Sequence, residues 1–282
     1  MTTQTTTTSA FPWRPDESTF HAADVVPTAL IMQTSTVSGQ VDGDKPAVRV
    51  AYVDDADADF VAEADEIDES DPAMAECVVN TGKISQLVKL SREQFYQDGT
   101  ATQLAMSVSR ALIKRADQAY LSQSAPTPPA VQPPAGLLHV SGVTAGGAVA
   151  ADLDALVDLI AELEAEGSTP SHIVVDPLGW AELRKLKTGS EFNSSLLGAG
   201  TTDAAPMLLS LPVLVNRWAT PYSGVVIDRG AVVSAIGPVM IASSEHRYFE
   251  ADSVALRATW RIGWNVVRPQ RIGSFTIHIE GS

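Results

Sequence analysis

Cys77 is the only cysteine in the 282 residues, so the chain can close no intrachain disulfide and gather no thiolate cluster around zinc. Basic residues are scarce: 19 Lys and Arg stand against 34 Asp and Glu, a formal net charge of -15. That balance opposes sequence-independent attraction to phosphates and excludes the ordinary sequence-reading nucleic-acid binder. Long apolar runs are missing too. The richest, "MLLSLPVLV" at 207–215, is too short to cross a bilayer as a helix. The opening "MTTQTTTTSAFPW" has neither a basic start nor an apolar stretch, so neither a secretory signal nor a membrane partner is expected. What is present, 45% hydrophobic residues, suffices for a substantial core in one large domain or two moderate ones.

Catalytic signatures are equally sparse. The five histidines, at 21, 139, 172, 246 and 278, form no pair at metal-ligand spacing. His172 and Asp176 flank "IVV"; on a strand they share a face yet lie roughly 13 Å apart, too far to share one ion. There is no serine elbow and no zinc-protease helix motif. The glycines of "SGVTAGGAVAADLDALV" match neither phosphate-loop nor dinucleotide patterns and read as a mobile loop before a helix. Asp55, Asp57, Asp59 and Glu66 resemble half of a calcium loop, but Phe60 occupies the place where the sharp turn needs glycine. No cofactor, no metal and no enzymatic activity are expected.

Along the chain, residues 1 to about 24 are threonine-rich and aperiodic, a tail expected to order only against a partner. Extended-looking bursts follow in "TALIMQTSTVSG" and "PAVRVAYV". The segment Asp54–Glu76 then carries eleven carboxylates and no basic residue, and must lie in solvent or face a basic surface of another chain. "CVVNTGKISQLVKLS" reads as a strand pair turning at "NTG", with alternation at Ile84, Gln86, Val88 and Leu90.

Residues 101–121 change period: Leu104, Val108, Leu112, Ala116 and Tyr120 recur every fourth position, a helix about 30 Å long. Five prolines in residues 122–136 end it. "DLDALVDLIAELEAEG" puts Leu153, Leu156, Val157, Ile160 and Leu163 on one helical face, ending at Gly167. In "SHIVVDPLGWAELRKLK" a short buried strand feeds a helix with Asp176 as N-cap and Pro177 at its first position. Strand signals dominate after residue 205, with a long strand or strand pair over 254–279.

The ordered series "HIVVDPLGWAELRKLKT", "LLSLPVLVNRW", "SGVVIDRGAVV" and "RYFEADSVALRATWRIGWNVVRPQRIGSFTI" resembles the major capsid protein of tailed bacteriophages with the HK97-type fold, most strongly over about 165–277. The resemblance implies an α+β, HK97-like major capsid fold: an N-terminal arm at 1–35 and an extended two-stranded loop at 36–78. It further implies a peripheral domain with a long spine helix at 79–135, a mixed α/β axial domain at 136–238, and a return to the peripheral domain at 239–282. The implied protein is structural. Its hexamers and pentamers close an icosahedral shell around double-stranded DNA that a portal motor drives in, without sequence recognition, as a virion capsid assembled in the host cytoplasm. An encapsulin-like nanocompartment shell, a tail or adaptor protein, and an enzyme acting through scattered carboxylates remain the alternatives.

Arg257 and Arg261 share one strand face, with Leu256 and Trp260 on the other. Arginine's planar fork suits pairing with carboxylates across a subunit boundary; a wet sheet face of one subunit accounts for them equally well. Trp260, Trp264 and Phe275 are expected in the core. The interface candidates are Arg257 and Arg261 with Asp54, Asp55, Asp57, Asp59, Glu63, Asp65, Glu66, Asp68 and Glu69. Only a few tens of residues precede the first elements, so scaffolding is expected from a separate protein or is absent, unless the chain is an already processed form. Lys45 is the only lysine in the extended loop and no asparagine partner for a covalent weld is evident, so the shell is expected to rely on non-covalent contacts or a cementing protein.

Overall fold

The computed structural model describes residues 17–41, 45–53, 74–97, 100–188, 194–197 and 206–278. The first strand, β1 (Glu17–Phe20), leads into two short helices, α1 (Ala22–Val25) and α2 (Leu30–Thr34). Next come β2 (Thr36–Gln40), β3 (Ala47–Val53) and the 18-residue β4 (Met74–Ser91). One helical turn, α3 (Arg92–Phe95), precedes the 23-residue α4 (Thr100–Ser122). The second half of the chain contains β5 (Thr144–Val149), α5 (Asp154–Ala165), β6 (His172–Val175), α6 (Pro177–Lys185), β7 (Met207–Leu208), β8 (Leu211–Val215) and β9 (Ser223–Ile227). Two long strands, β10 (Val232–Tyr248) and β11 (Ser253–Val266), and the short β12 (Gly273–Ile277) complete the series.

These strands form two sheets, giving the α+β, HK97-like fold. The first runs β1-β10-β11-β4-β3. On the β10 edge β1 covers Val239–Ala242 antiparallel, while β2 covers Val233–Ile236 in parallel. Gly237 and Pro238 fall at the register shift between them, where proline's missing N–H would interrupt any ladder. The second sheet runs β5-β12-β9-β6-β8-β7.

The spine helix α4, about 35 Å long, lies against the first sheet. Its stripe of Val108, Leu112, Ala116 and Tyr120 is buried with Trp260, Ile262 and Trp264 of β11 and with Leu30 and Ile31 of α2. Both indole N–H groups are satisfied, Trp260 donating to the Gly237 carbonyl at 3.1 Å and Trp264 to that of Ala135 at 2.7 Å.

The central strands of the second sheet, β6 and β9, are buried on both faces, which explains their unbroken apolar runs. Ile173 and Val175 of β6 and Val226 of β9 turn toward the core shared with α5, which also holds Phe275. Val174, Val225 and Ile227 turn toward the core of the first sheet. Asp176 caps α6 as expected, accepting from the Leu178 and Gly179 amides, both at 3.0 Å.

Several expectations are corrected. "TALIMQT" contains a helix, because Leu30 and Ile31 are buried on α4. "NTG" makes no turn: β4 runs straight through, its Met74–Asn80 half pairing with β3 and its Thr81–Ser91 half with β11. Asn80 and Gly82 are separated by β-branched Thr81, which a two-residue hairpin turn does not accommodate. The glycine stretch before α5 is strand β5, and a Cβ on Gly146 would sit 2.7 Å from Leu159 Cδ2, so small residues let α5 settle on the sheet. On α5 it is Leu159 that is buried, while Val157 is exposed.

The expected tail is ordered within its own chain from residue 17, through β1 and α1. The last strand, β12, pairs with β5 and β9 of the second sheet.

Candidate subunit interface

Beyond the first sheet's body, β3 and the first half of β4 continue as a two-stranded arm. At its base Val41, Val50, Cys77 and Val79 pack with Val233 and Ala235. Farther out, Ala51, Glu76 and Val78 are exposed, and Arg49 reaches Glu76 at 3.3 Å across the strands, an exposed pair worth little by itself.

Where the arm leaves the sheet, Arg261 holds it. Its Nη1 donates to Thr81 Oγ1 at 3.1 Å, to the Thr81 carbonyl at 3.3 Å and to the Lys45 carbonyl at 3.4 Å. Thr81 Oγ1 in turn donates to the Lys45 carbonyl at 2.6 Å. Thr81 is fully buried, so these groups need partners within the protein. The β11 backbone comes close because residue 263 is glycine: a Cβ there would stand 2.3 Å from the Asn80 carbonyl oxygen.

Arg257 is exposed on the same face of β11, between Leu87 of β4 and Ala242 of β10. Lys83 lies directly across from Arg261. Lys89 shares this face, with Nζ 4.8 Å from the Tyr248 ring centre. Neither β4 from Thr81 to Ser91 nor β11 contains a carboxylate, so the open face of these two strands is basic. The acidic candidates Asp54, Asp55, Asp57, Asp59, Glu63, Asp65, Glu66, Asp68 and Glu69 lie outside the described residues. The expected core residues are buried: Trp260, Trp264 and Phe275 are 0%, 3% and 2% exposed.

One group that sequence reasoning missed joins three parts of the chain. Asp117, on the buried side of α4, accepts from the Leu30 amide of α2 and from Asn216 Nδ2 after β8, both at 2.8 Å. Burial pushes its carboxyl above the usual range, and the two hydrogen bonds pull the other way. An acid inside an otherwise apolar helical stripe was the available signal. Burial also raises the Cys77 thiol, partly offset by the Asn265 side chain, and lowers His172, with Arg229 adding to the effect.

Among the described residues no three His, Cys, Asp or Glu side chains converge on a metal position, and no helix is long and apolar enough to cross a membrane. The arrangement is one of surfaces: an arm, a basic sheet face and exposed apolar residues such as Phe249, 80% exposed at the tip of the β10–β11 hairpin.

Comparison with known proteins agrees with that character. The sequence model described as the Phage capsid family matches residues 23–276. No curated protein matches the chain significantly in sequence. Among solved structures, a Microbacterium phage Oxtober96 chain is similar with TM-score 0.68 and 15% identity, covering 99% of this chain and 96% of that one. The capsid of an empty GTA particle computed with C5 symmetry gives TM-score 0.66 and 18% identity, with the same coverages of 99% and 96%. A Gordonia phage Cozz chain gives 0.63 and 17%, covering 96% and 90%.

Proposed function

The chain belongs to the phage capsid family and is a structural capsid protein, and from that premise we propose that it is a major capsid protein whose copies assemble as hexamers and pentamers into an icosahedral shell around packaged double-stranded DNA. In this reading DNA enters through a portal and is enclosed without sequence recognition. A separate scaffolding protein guides assembly in the host cytoplasm, and non-covalent contacts or a cementing protein hold the finished shell. The N-terminal arm, the extended loop and the peripheral and axial domains divide the chain as its resemblance to the family implies, with β12 contributed to the axial sheet.

The observation that carries the proposal is the β3–β4 arm. A two-stranded ribbon is marginal in water, and this one has a small apolar cluster only at its base. Beyond that base its order comes from a neighbouring copy, so assembly completes the fold. Arg257 and Arg261 are proposed to meet that neighbour. Arg261 does so from a position where its guanidinium already sets the arm's exit. The acidic residues Asp54 to Glu69 are the arm's contribution to such contacts.

Negative-stain electron microscopy of the purified protein, with and without a candidate scaffold, tests this reading. Closed polyhedra, or six- and five-membered rings, are expected. Monomers that persist with scaffold present, or open tubes, would overturn it.

A further inference from the structure

The strand faces and the arm account for only part of the chain's basic residues. A second group of cations lies on the other side of the first sheet, on the solvent face of α4. Arg110 and Lys114 are exposed one helical turn apart, about 6 Å along the axis. The loop after β8 adds Arg217 and Trp218 beside Lys114. Lys114 Nζ lies 5.2 Å from the Trp218 ring centre and Arg217 Cζ 4.7 Å from it, so the two charges are no more than about 10 Å apart.

Among the described residues these cations have no carboxylate partner. The ion pairs found among the described residues are Arg49–Glu76, Arg92–Asp252 and Lys185–Glu182. Arg110, Lys114 and Arg217 take part in none of them. The only carboxylate on α4, Asp117, is 5% exposed and turned inward onto Leu30 and Asn216. Asp24 of α1 is exposed, and α1 docks beside this helix where Ser109 Oγ donates to the Val25 carbonyl at 2.6 Å; Asp24 nevertheless pairs with none of the three. The strip is also held in place: Asn216 Oδ1 accepts from the Trp218 amide at 2.9 Å while Asn216 Nδ2 holds Asp117, which fixes the tryptophan against α4.

We propose that this strip, Lys114 and Arg217 against Trp218 with Arg110 one helical turn along α4, binds the phosphate backbone of the duplex DNA enclosed by the shell. The inference rests on the capsid reading above and adds to it a contact on the wall. The net charge of -15 does not oppose it locally. Residues 54–76 hold eleven of the 34 carboxylates and none of the 19 basic residues, so the rest of the chain sets 23 acids against 19 bases. Charges farther away than about 10 Å are largely screened at 0.1 M salt.

Cations preset against one ring lose little side-chain freedom on meeting phosphates, and the contact reads no sequence. The chain's own acidic segment is the weaker candidate. It interleaves its carboxylates with Phe60, Val61 and Ile67, which need apolar cover, whereas the ring in this strip already lies under two cations.

The test measures anisotropy of a labelled duplex of about 20 base pairs against purified subunits between about 50 and 200 mM NaCl. Wild type should bind with a log–log salt slope of about -2.7, so affinity falls about 40-fold across that range for three phosphate contacts. The triple variant Arg110→Gln, Lys114→Gln, Arg217→Gln should lose at least about tenfold at the low-salt end and flatten the slope. Lys185→Gln, on α6, should leave binding unchanged. Equal binding by wild type and triple variant, or no wild-type binding at low salt, overturns the proposal. So does displacement of the duplex by a synthetic Asp54–Asp71 peptide acting through the same three cations. Microscopy of the same preparations keeps the two readings apart: shells formed by the triple variant confirm its fold, and shells from wild type without strip-dependent binding sink only the DNA contact.

Discussion

Arg261 and Thr81 are joined twice through one guanidinium nitrogen, which donates to the threonine hydroxyl at 3.1 Å and to its carbonyl at 3.3 Å. The same nitrogen reaches the Lys45 carbonyl, so a single side chain spans both sides of the point where the arm leaves the sheet. This position marks the change of partner within β4, from β3 to β11.

Replacing Arg261 with alanine should therefore loosen the arm at its base before it unfolds the body. The part-buried, charge-assisted contacts are worth about 1 kcal/mol net after solvent screening. Cys77 is the natural reporter, since it packs with Val50 and Val79 at that base and burial keeps its thiol pKa raised. Alkylation of Cys77 in Arg261→Ala subunits should run several-fold faster than in wild type. Arg261→Lys should fall between them, because an ammonium on a flexible stem does not reproduce the fork. Unchanged rates would show that the clamp does not restrain the arm.

Shell yield provides a second readout for the same strand. Arg257→Ala and Arg261→Ala should each lower the yield of closed particles while leaving soluble subunit levels near wild type. Sedimentation of matched lysates measures both quantities. Normal yields from both variants would place the two arginines on an ordinary wet face of one subunit.

Limited proteolysis addresses the acidic segment. If the arm gains its order from a neighbour, cleavage between Asp54 and Glu76 should be fast in isolated subunits and slowed at least about tenfold in assembled shells. Mass spectrometry of the first fragments locates the cut. Equal rates in both states would separate that segment from the interface.

Much of the fold could be read because its signals are local. The fourfold spacing from Leu104 to Tyr120 marks α4, the prolines end it, and Asp176 with Pro177 starts α6. The alternation of Arg257 and Arg261 with Leu256 and Trp260 places their faces correctly. The misses arise where partners distant in sequence decide. Nothing inside "CVVNTGKISQLVKLS" reveals that its two halves pair with different strands, and β5 is a strand because β12 lies beside it. Val157 and Leu159 differ only in which side of α5 meets Phe275 and its neighbours. The Arg261 clamp spans 180 residues, and the Asp117 junction gathers groups 87 and 99 residues away.

Asp117 makes a prediction in pH. Its folded-state pKa is raised, chiefly by burial, so the folded chain binds this proton more tightly than the unfolded chain. The contribution of Asp117 to stability is consequently most favourable below the ordinary carboxylate range. It declines as pH rises through the window up to the raised value, then stays level. Asp117→Asn cannot titrate. Its amide also places an N–H₂ against Asn216, so it should cost about 1 kcal/mol at low pH. The gap between variant and wild type should narrow as pH rises across that window. Urea midpoints at a series of pH values measure it, and a constant gap would show that Asp117 does not titrate there.

Two glycines on adjoining strands should respond in opposite directions, although Gly263 lies opposite Thr81 and Gly82 opposite Ile262 in one ladder. A Cβ on Gly263 would stand 2.3 Å from the Asn80 carbonyl oxygen and 2.9 Å from its carbon. These are backbone atoms that no side-chain rotation can move away. Gly263→Ala must push β11 from β4 at the place where the arm changes partners, at a cost of roughly 3 kcal/mol. A Cβ on Gly82 meets nothing within 4 Å, so Gly82→Ala should add about 0.5 kcal/mol by restricting the unfolded chain. Thermal unfolding of the two variants beside wild type reads both signs. A Gly263→Ala midpoint equal to wild type would mean that the strands are not held so close, and the Arg261 clamp would then have no tight crossing to secure.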